Sequence, residues 1–459
     1  MTNTLKTLAA LAVIALGSGC AIFKDYDVPN YNAGSLEGLE QNPTPTTLST
    51  AANGMIYATR EDQEFNVIIL GSLGREGYSL SPSDRGWQNN LSTMNSTSFY
   101  TSALVDWTDP YISIRMGNVI LKALDASTLT DAQKAGVRGF VKTMQAYNYL
   151  TVIIARDSSG AALDVDRPLS EMAPIATRDQ VYTRINQLLD DGKTALQAAG
   201  GSWILNLPPG FSPTFNSPTT FLTLNRALRA RTAVYTQDYA TAITALSESF
   251  IDSVGSLRVG AYLNFSTNSG DRTLSWLYDP TGEALRGQPT FLTDAQPRAD
   301  ATPDLRVTTK TQMKPLKKFM NLGSNFRYTV YDVSPGAPIT FIRNEELILL
   351  RAEARWKTGN PTGAMNDINL IRTKSGGLDP IASFPGDAAF QVELLYNRRY
   401  SLVWEGGFRW IDARRFGFLG SLPVDRAGDK RFSRIQIPQS ECTPRPDPKP
   451  AGCNYDNGI

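Results

Sequence analysis

Twice in this chain a long helical face is followed by a short break and a second helical face. Small residues mark the place where the two would cross. Leu224, Ala227, Leu228 and Ala233 share one face, and Asp238-Tyr239 opens a partner that carries Ala242 and Leu246. Farther on, Leu347, Leu350 and Ala354 share a face, Gly359-Asn360-Pro361 breaks the chain, and Ala364, Ile368 and Ile371 share the next. Apolar residues recurring with the helical period give each helix one face that must be buried. Neither helix of such a pair can bury that face alone, whereas stacked pairs can, and alanine at the crossing lets the axes come close.

This geometry resembles the tetratricopeptide repeat. The units are far apart in sequence, so a bare solenoid is excluded and the intervening stretches must cover one side. Further helices are expected around Leu48, Ala52 and Met55 and then Phe65 to Leu70, and as two helices over 112–156. In the second of these, Phe140, Met144, Tyr147 and Leu150 align, and Thr130-Asp131 is a start signal. Thr177-Arg178-Asp179-Gln180 is another, ahead of Val181, Ile185, Leu188 and Leu189. Two long insertions, about 71–109 and 256–340, are rich in Gly, Pro, Asp and Thr and carry aromatics. Loops of that length inside a compact domain are usually functional, and the aromatic content argues against disorder.

The N-terminus sets the compartment. Lys6, the apolar run Leu8 to Leu16, and Gly17-Ser18-Gly19 before Cys20 read as a lipoprotein signal peptide over 1–19. The apolar run is far short of the roughly 20 residues of a spanning helix. Gly17 stands where an apolar residue is usual, with Leu16 one place further back. Lipidation of Cys20 would anchor the chain, at ~0.8 kcal/mol per buried methylene. Residues 20–45, with Pro29, Gly34, Gly38, Pro43 and Pro45, read as lipidated Cys and tether. Residues 46–459 are then expected to form a single domain.

Of the 3 Cys, two remain beyond Cys20. Cys442 and Cys453 flank Pro444, Pro446, Pro448 and Pro450, and in an oxidising envelope they suggest a disulfide closing that loop. A zinc site is the rival, weakened by the lack of further ligands, since the chain has 0 His. The same absence removes Ser-His-Asp triads, Cys-His pairs and His-ligated metals. A net charge of +1 gives no basic field for nucleic acid. No cofactor or metal is expected.

The segments Ile342-Arg343-Asn344-Glu345-Glu346-Leu347, Leu350-Arg351-Ala352-Glu353-Ala354 and Asn366-Asp367-Ile368-Asn369-Leu370-Ile371-Arg372 resemble the late helical pair of the SusD/RagB family. Arg398-Arg399, Trp404-Glu405-Gly406, Arg409-Trp410-Ile411-Asp412-Ala413-Arg414-Arg415 and Gly417 resemble its late acid–base signature, and Ile437-Pro438-Gln439-Ser440-Glu441 its closing segment. Asn397 departs from the usual Glu, and Gly407-Phe408 adds a residue before Arg409. The resemblance implies a mostly α fold of discontinuous tetratricopeptide-like pairs packed against a loop-rich half. It also implies a surface-exposed, lipid-anchored outer-membrane protein that binds glycans or peptides. Such proteins sit on a SusC-like TonB-dependent transporter and perform no catalysis.

Within that frame the aromatic loops are the candidate ligand site. A sugar needs a flat ring beneath its C–H face and amides or charges for its hydroxyls. Trp87, Asn89 and Asn90 supply both, with Arg75 and Tyr78 just before them and Trp276 and Tyr278 from the other insertion. Each of these aromatics has loop core as its competing role, and Trp107 more so. The Arg409–Arg415 cluster is expected to be structural, with Arg–carboxylate pairs holding loops to helices. Glu345, Glu346, Glu353 and Glu405 invite a glycosidase reading, which needs two carboxyls about 5–10 Å apart across a sugar. Adjacent Glu345 and Glu346 point in different directions on a helix, against that reading. An oligosaccharide is the expected ligand and a peptide the alternative. A surface glycoside hydrolase and a scaffold that binds only proteins are the rivals from other classes.

Overall fold

The computed structural model describes residues 39, 43–61, 63–82, 91–94, 107–168, 171–269, 271–274 and 276–459. Cys20, the signal segment and nearly all of the tether lie outside the described residues, as do Trp87, Asn89 and Asn90. The first helical pair is α1 (Pro45–Arg60) and α2 (Gln63–Leu73). Helix α2 is buried along its whole length, as its near-continuous apolar run requires. A short strand β1 (Gly77–Ser79) follows, and then α3 (Thr108–Ala126) and α4 (Asp131–Arg156).

Local chemistry sets the helix starts. Thr130 and Gln133 close a capping box at the start of α4. After strands β2 (Ala161–Ala162) and β3 (Ile175–Ala176), Thr177 and Gln180 do the same for α5 (Arg178–Ala199). Ser217 caps α6 (Pro218–Tyr235), and Asp238 accepts from the Thr241 amide to open α7 (Tyr239–Ser247). The later pair is α10 (Asn344–Lys357) and α11 (Pro361–Ile371), the second capped by Asn360.

These helices form a continuous array. Helix α1 packs on α3, α3 on α4, α4 on α5, α5 on α6, α6 on α7, α7 on α10 and α10 on α11. The close crossings carry small side chains. A Cβ at Gly139 of α4 would stand 2.5 Å from Leu196 Cγ of α5. Ala227, Ala233, Ala242, Ala354 and Ala364 are all fully buried. The fold class read from the paired faces is the one observed, mostly helical with discontinuous tetratricopeptide-like pairs.

The 256–340 insertion is more ordered than a loop. It holds β4 (Gly260–Leu263), β5 (Leu285–Gly287), short helices α8 (Thr290–Thr293) and α9 (Leu305–Lys310), and the hairpin β6 (Thr311–Phe319) and β7 (Leu322–Tyr328). Strand β8 (Ile339–Arg343) begins within it and leads into α10. All four sheets are two-stranded and antiparallel among the described residues: β1 with β5, β2 with β3, β4 with β8 and β6 with β7. Strand β1 thus ties the first insertion to the second. No described helix is long and apolar enough to cross a membrane.

The C-terminal part stitches the layers together through α12 (Asp387–Ser401), α13 (Phe408–Arg415) and the single turn α14 (Gln439–Cys442). Gly407 precedes α13 at φ +73°, and a Cβ there would meet Leu70 Cβ at 2.3 Å. The extra residue before Arg409 is therefore a glycine corner pressed against α2. Cys442 and Cys453 form a disulfide, and the Ile437 amide, ahead of the closed segment, donates to the Gly452 carbonyl inside it.

Candidate ligand-binding site

The four carboxylates of the glycosidase reading are each tied to an arginine. Arg343 bonds Glu405 at 2.8 and 2.9 Å and also pairs with Glu345. Glu346 takes both forks of Arg231 at 2.6 Å, and Glu353 pairs with Arg415. All four are buried. The Arg343 guanidinium holds Glu345 down at about 2 against the burial that opposes it. The Glu345 carboxylate therefore has no proton to give a leaving group, and all four carboxylates accept charge-assisted hydrogen bonds from arginine.

The signature around 409–415 serves as a clamp. Arg398 bonds Asp412 at 2.6 Å, Arg409 donates to the Arg75 carbonyl at 2.6 Å, and Trp410 Nε1 to the Phe432 carbonyl at 2.7 Å. The Arg414 guanidinium lies 4.1 Å from the Trp410 ring centroid and bonds the Ser433 carbonyl. Asn397, where an acid is usual, accepts from Arg306 at 3.0 Å and donates to Glu393. A neutral amide suits that place because Asp304 already balances Arg306.

Two of the proposed ligand residues face inward. Arg75 is fully buried, and its guanidinium is committed to the carbonyls of Pro423, Ser72 and Lys430. Tyr78, in β1, is buried with its hydroxyl on Asp425. Both hold the first insertion onto the 423–430 segment and present no face to solvent. The reason is the β1–β5 pairing, which draws residues 77–79 under the surface. Trp107 is buried against Tyr111, with Arg156 over its ring.

Trp276 is different: it is 37% exposed and backed by Phe65, with ring centroids 5.4 Å apart. Its backbone is fixed from α2, where the buried Glu64 accepts from the amides of Trp276 and Leu277 at 2.8 and 3.1 Å. Arg272 reaches across to Glu61 and lies 3.9 Å from Glu64. Beside it Asp271 pairs with Arg60, whose guanidinium is 4.6 Å from the ring centroid of Tyr57 and 5.3 Å from that of Phe265. Tyr57 is 44% exposed. Tyr278 is half-buried and packs on the core.

The second insertion is thus pinned to the α1–α2 corner, making a ledge with two exposed aromatics, Tyr57 and Trp276, between fixed ion pairs. Tyr57 and Arg60 escaped the sequence reading. The available signal was a tyrosine on the face of α1 opposite Leu48, Ala52 and Met55. A second feature lies deeper, a cavity of about 50 Å³ lined by Asn66, Tyr147, Arg231, Phe341, Glu405 and Phe408 among others. It has room for a few waters, whereas pockets for small organic ligands run to about 300–1,000 Å³. This cavity is too small for a sugar.

Neither a protein-family model nor a curated protein matches the sequence. Solved structures do match in three dimensions. A SusD superfamily protein from Bacteroides vulgatus ATCC 8482 superposes with a TM-score of 0.69 at 14% identity, covering 89% of this chain and 99% of that one. Surface glycan-binding protein A from Bacteroides uniformis gives 0.66 at 15% identity, over 90% and 100% of the two chains. NanU from B. fragilis gives 0.60 at 16%, over 89% and 96%. Agreement over nearly the whole length of these chains, at identities this low, is agreement in fold, and the protein is SusD-like in fold.

Proposed function

We propose that this protein binds an oligosaccharide at the outer membrane and passes it to a SusC-like TonB-dependent transporter, without acting on it chemically. The observation that carries the reading is the exposed pair Tyr57 and Trp276, with Trp276 backed by Phe65 and Glu64 and Tyr57 by the Arg60 guanidinium. Two exposed rings among fixed polar groups suit the alternating C–H faces and hydroxyl rims of a sugar chain. The fold is shared with a surface glycan-binding protein, which supports the same ligand class. The internal pairing of Glu345, Glu346, Glu353 and Glu405 supports binding over hydrolysis.

In this reading Cys20 carries the lipid, residues 20–45 tether the body to the membrane, and 46–459 act as one domain. Trp87, Asn89 and Asn90 of the first insertion are proposed to contact the same ligand. A thermal-shift screen against oligosaccharides and peptides tests it, because a ligand that binds only the folded state raises its stability with concentration. Stabilisation by glycans is expected. Stabilisation by peptides alone would replace the ligand class, and none from either library would favour a scaffold that binds only proteins.

A further inference from the structure

The β6–β7 hairpin displays apolar side chains next to lysines. Its outer strand exposes Met313 (58%) and Leu316 (62%), and its tip exposes Met320 (41%). Lys314, Lys317 and Lys318 stand among them, and residues 311–328 contain no acidic side chain. Glu283, from outside the hairpin, meets Lys317 at 3.0 Å, which leaves the segment positively charged. The two strands slip register between Met313 and Lys317, so Lys314-Pro315-Leu316 forms a bulge. A bulge with a proline blunts the edge against addition of another strand.

The tip adds a second observation. Phe319 pairs with Leu322, so Met320 and Asn321 are the two turn residues, at φ +48° and +64°. Asparagine tolerates this left-handed geometry, whereas an unbranched apolar residue is disfavoured there. In a folded core the strain would be offset by burying the side chain, yet Met320 is exposed. The Arg426 guanidinium bonds the Met320 carbonyl at 3.2 Å and fixes the tip in that shape.

Exposed Met and Leu interleaved with Lys, at a strained and anchored tip, match what an anionic lipid surface binds: apolar side chains for the acyl boundary and cations for the head groups. We propose that the 311–328 hairpin rests on an anionic membrane surface, with Met320 inserted. This contact is separate from the glycan ledge, so either can fail without the other.

The test uses the full chain reconstituted into vesicles of phosphatidylcholine alone, or of phosphatidylcholine and phosphatidylglycerol in equal parts. Met320→Trp supplies the reporter, compared with the parent protein. In anionic vesicles the added emission is expected to shift blue and to be quenched by brominated lipid. Replacing Lys314, Lys317 and Lys318 together by Gln should lower the docked-to-free ratio about a hundredfold, at about fivefold per charge. Met320→Asn should raise the melting temperature, by relieving the turn, while reducing lipid contact measured by a reporter at Leu316→Trp. Emission at residue 320 that is the same in both vesicle types, or indifferent to the three lysine substitutions, would overturn the proposal.

Discussion

At the scale of single residues, the interior is held by arginines meeting carboxylates. Arg231 and Glu346 are both buried and bonded through two parallel contacts of 2.6 Å. Glu346→Ala strands a buried guanidinium and should cost about 3–5 kcal/mol of stability by urea unfolding, as loss of one partner of a buried pair does. A change under about 1 kcal/mol would mean the site relaxes to admit water. Glu76 behaves differently. Burial pushes its carboxyl up to about 8 from the ordinary 4.5, with Arg409 the main opposing charge. Between those values the folded protein keeps a proton that the unfolded chain has released. Stability therefore falls as pH rises through this window and levels off above it. Glu76→Gln should flatten that slope, read from urea midpoints at about pH 5 and about pH 8. Lys310, pulled down by burial to about 8 from 10.5, gives a slope of the opposite sign only above that window. The residue scale is also where sequence reading was least able to see. Nothing in Arg75 or Tyr78 as letters says that β1 pairs with β5 some two hundred positions away and carries both inside.

At the scale of elements, helices were legible and strands were not. Helix starts rest on neighbours three residues apart, so Thr130 with Gln133 and Thr177 with Gln180 announce themselves. Removing one cap leaves an amide at the helix start without its acceptor, and Thr177→Ala should lower stability by about 1 kcal/mol. An unchanged melting temperature would show that α5 is held by its packing alone. The strands of the second insertion depend on distant partners instead. Residues 311–319 lack clean alternation and contain Pro315, and the turn reads Met-Asn where a hairpin signal would read Asn-Gly. The sequence of the insertion therefore has the character of loop, although it carries a hairpin whose outer strand is displayed.

At the scale of the whole molecule, two widely spaced helical pairs were enough to imply a stacked array, because each pair leaves an apolar face that only a neighbour can cover. The array that runs from α1 to α11 is that inference drawn out. The proposed ligand surface is a product of assembly. Trp276 could be picked out as an aromatic in a long insertion, but Tyr57 belongs to a helix over two hundred residues earlier, and Arg60 meeting Asp271, Glu61 meeting Arg272 and Glu64 meeting the Trp276 amide bring the two segments together. The most direct test of the account is a calorimetric titration of the protein with neutral oligosaccharides, repeated with Trp276→Ala and Tyr57→Ala. The account predicts binding by the parent protein, weakened about tenfold in each variant with the melting temperature of the free protein nearly unchanged. Glycan binding that is indifferent to both substitutions would contradict the ledge as the site.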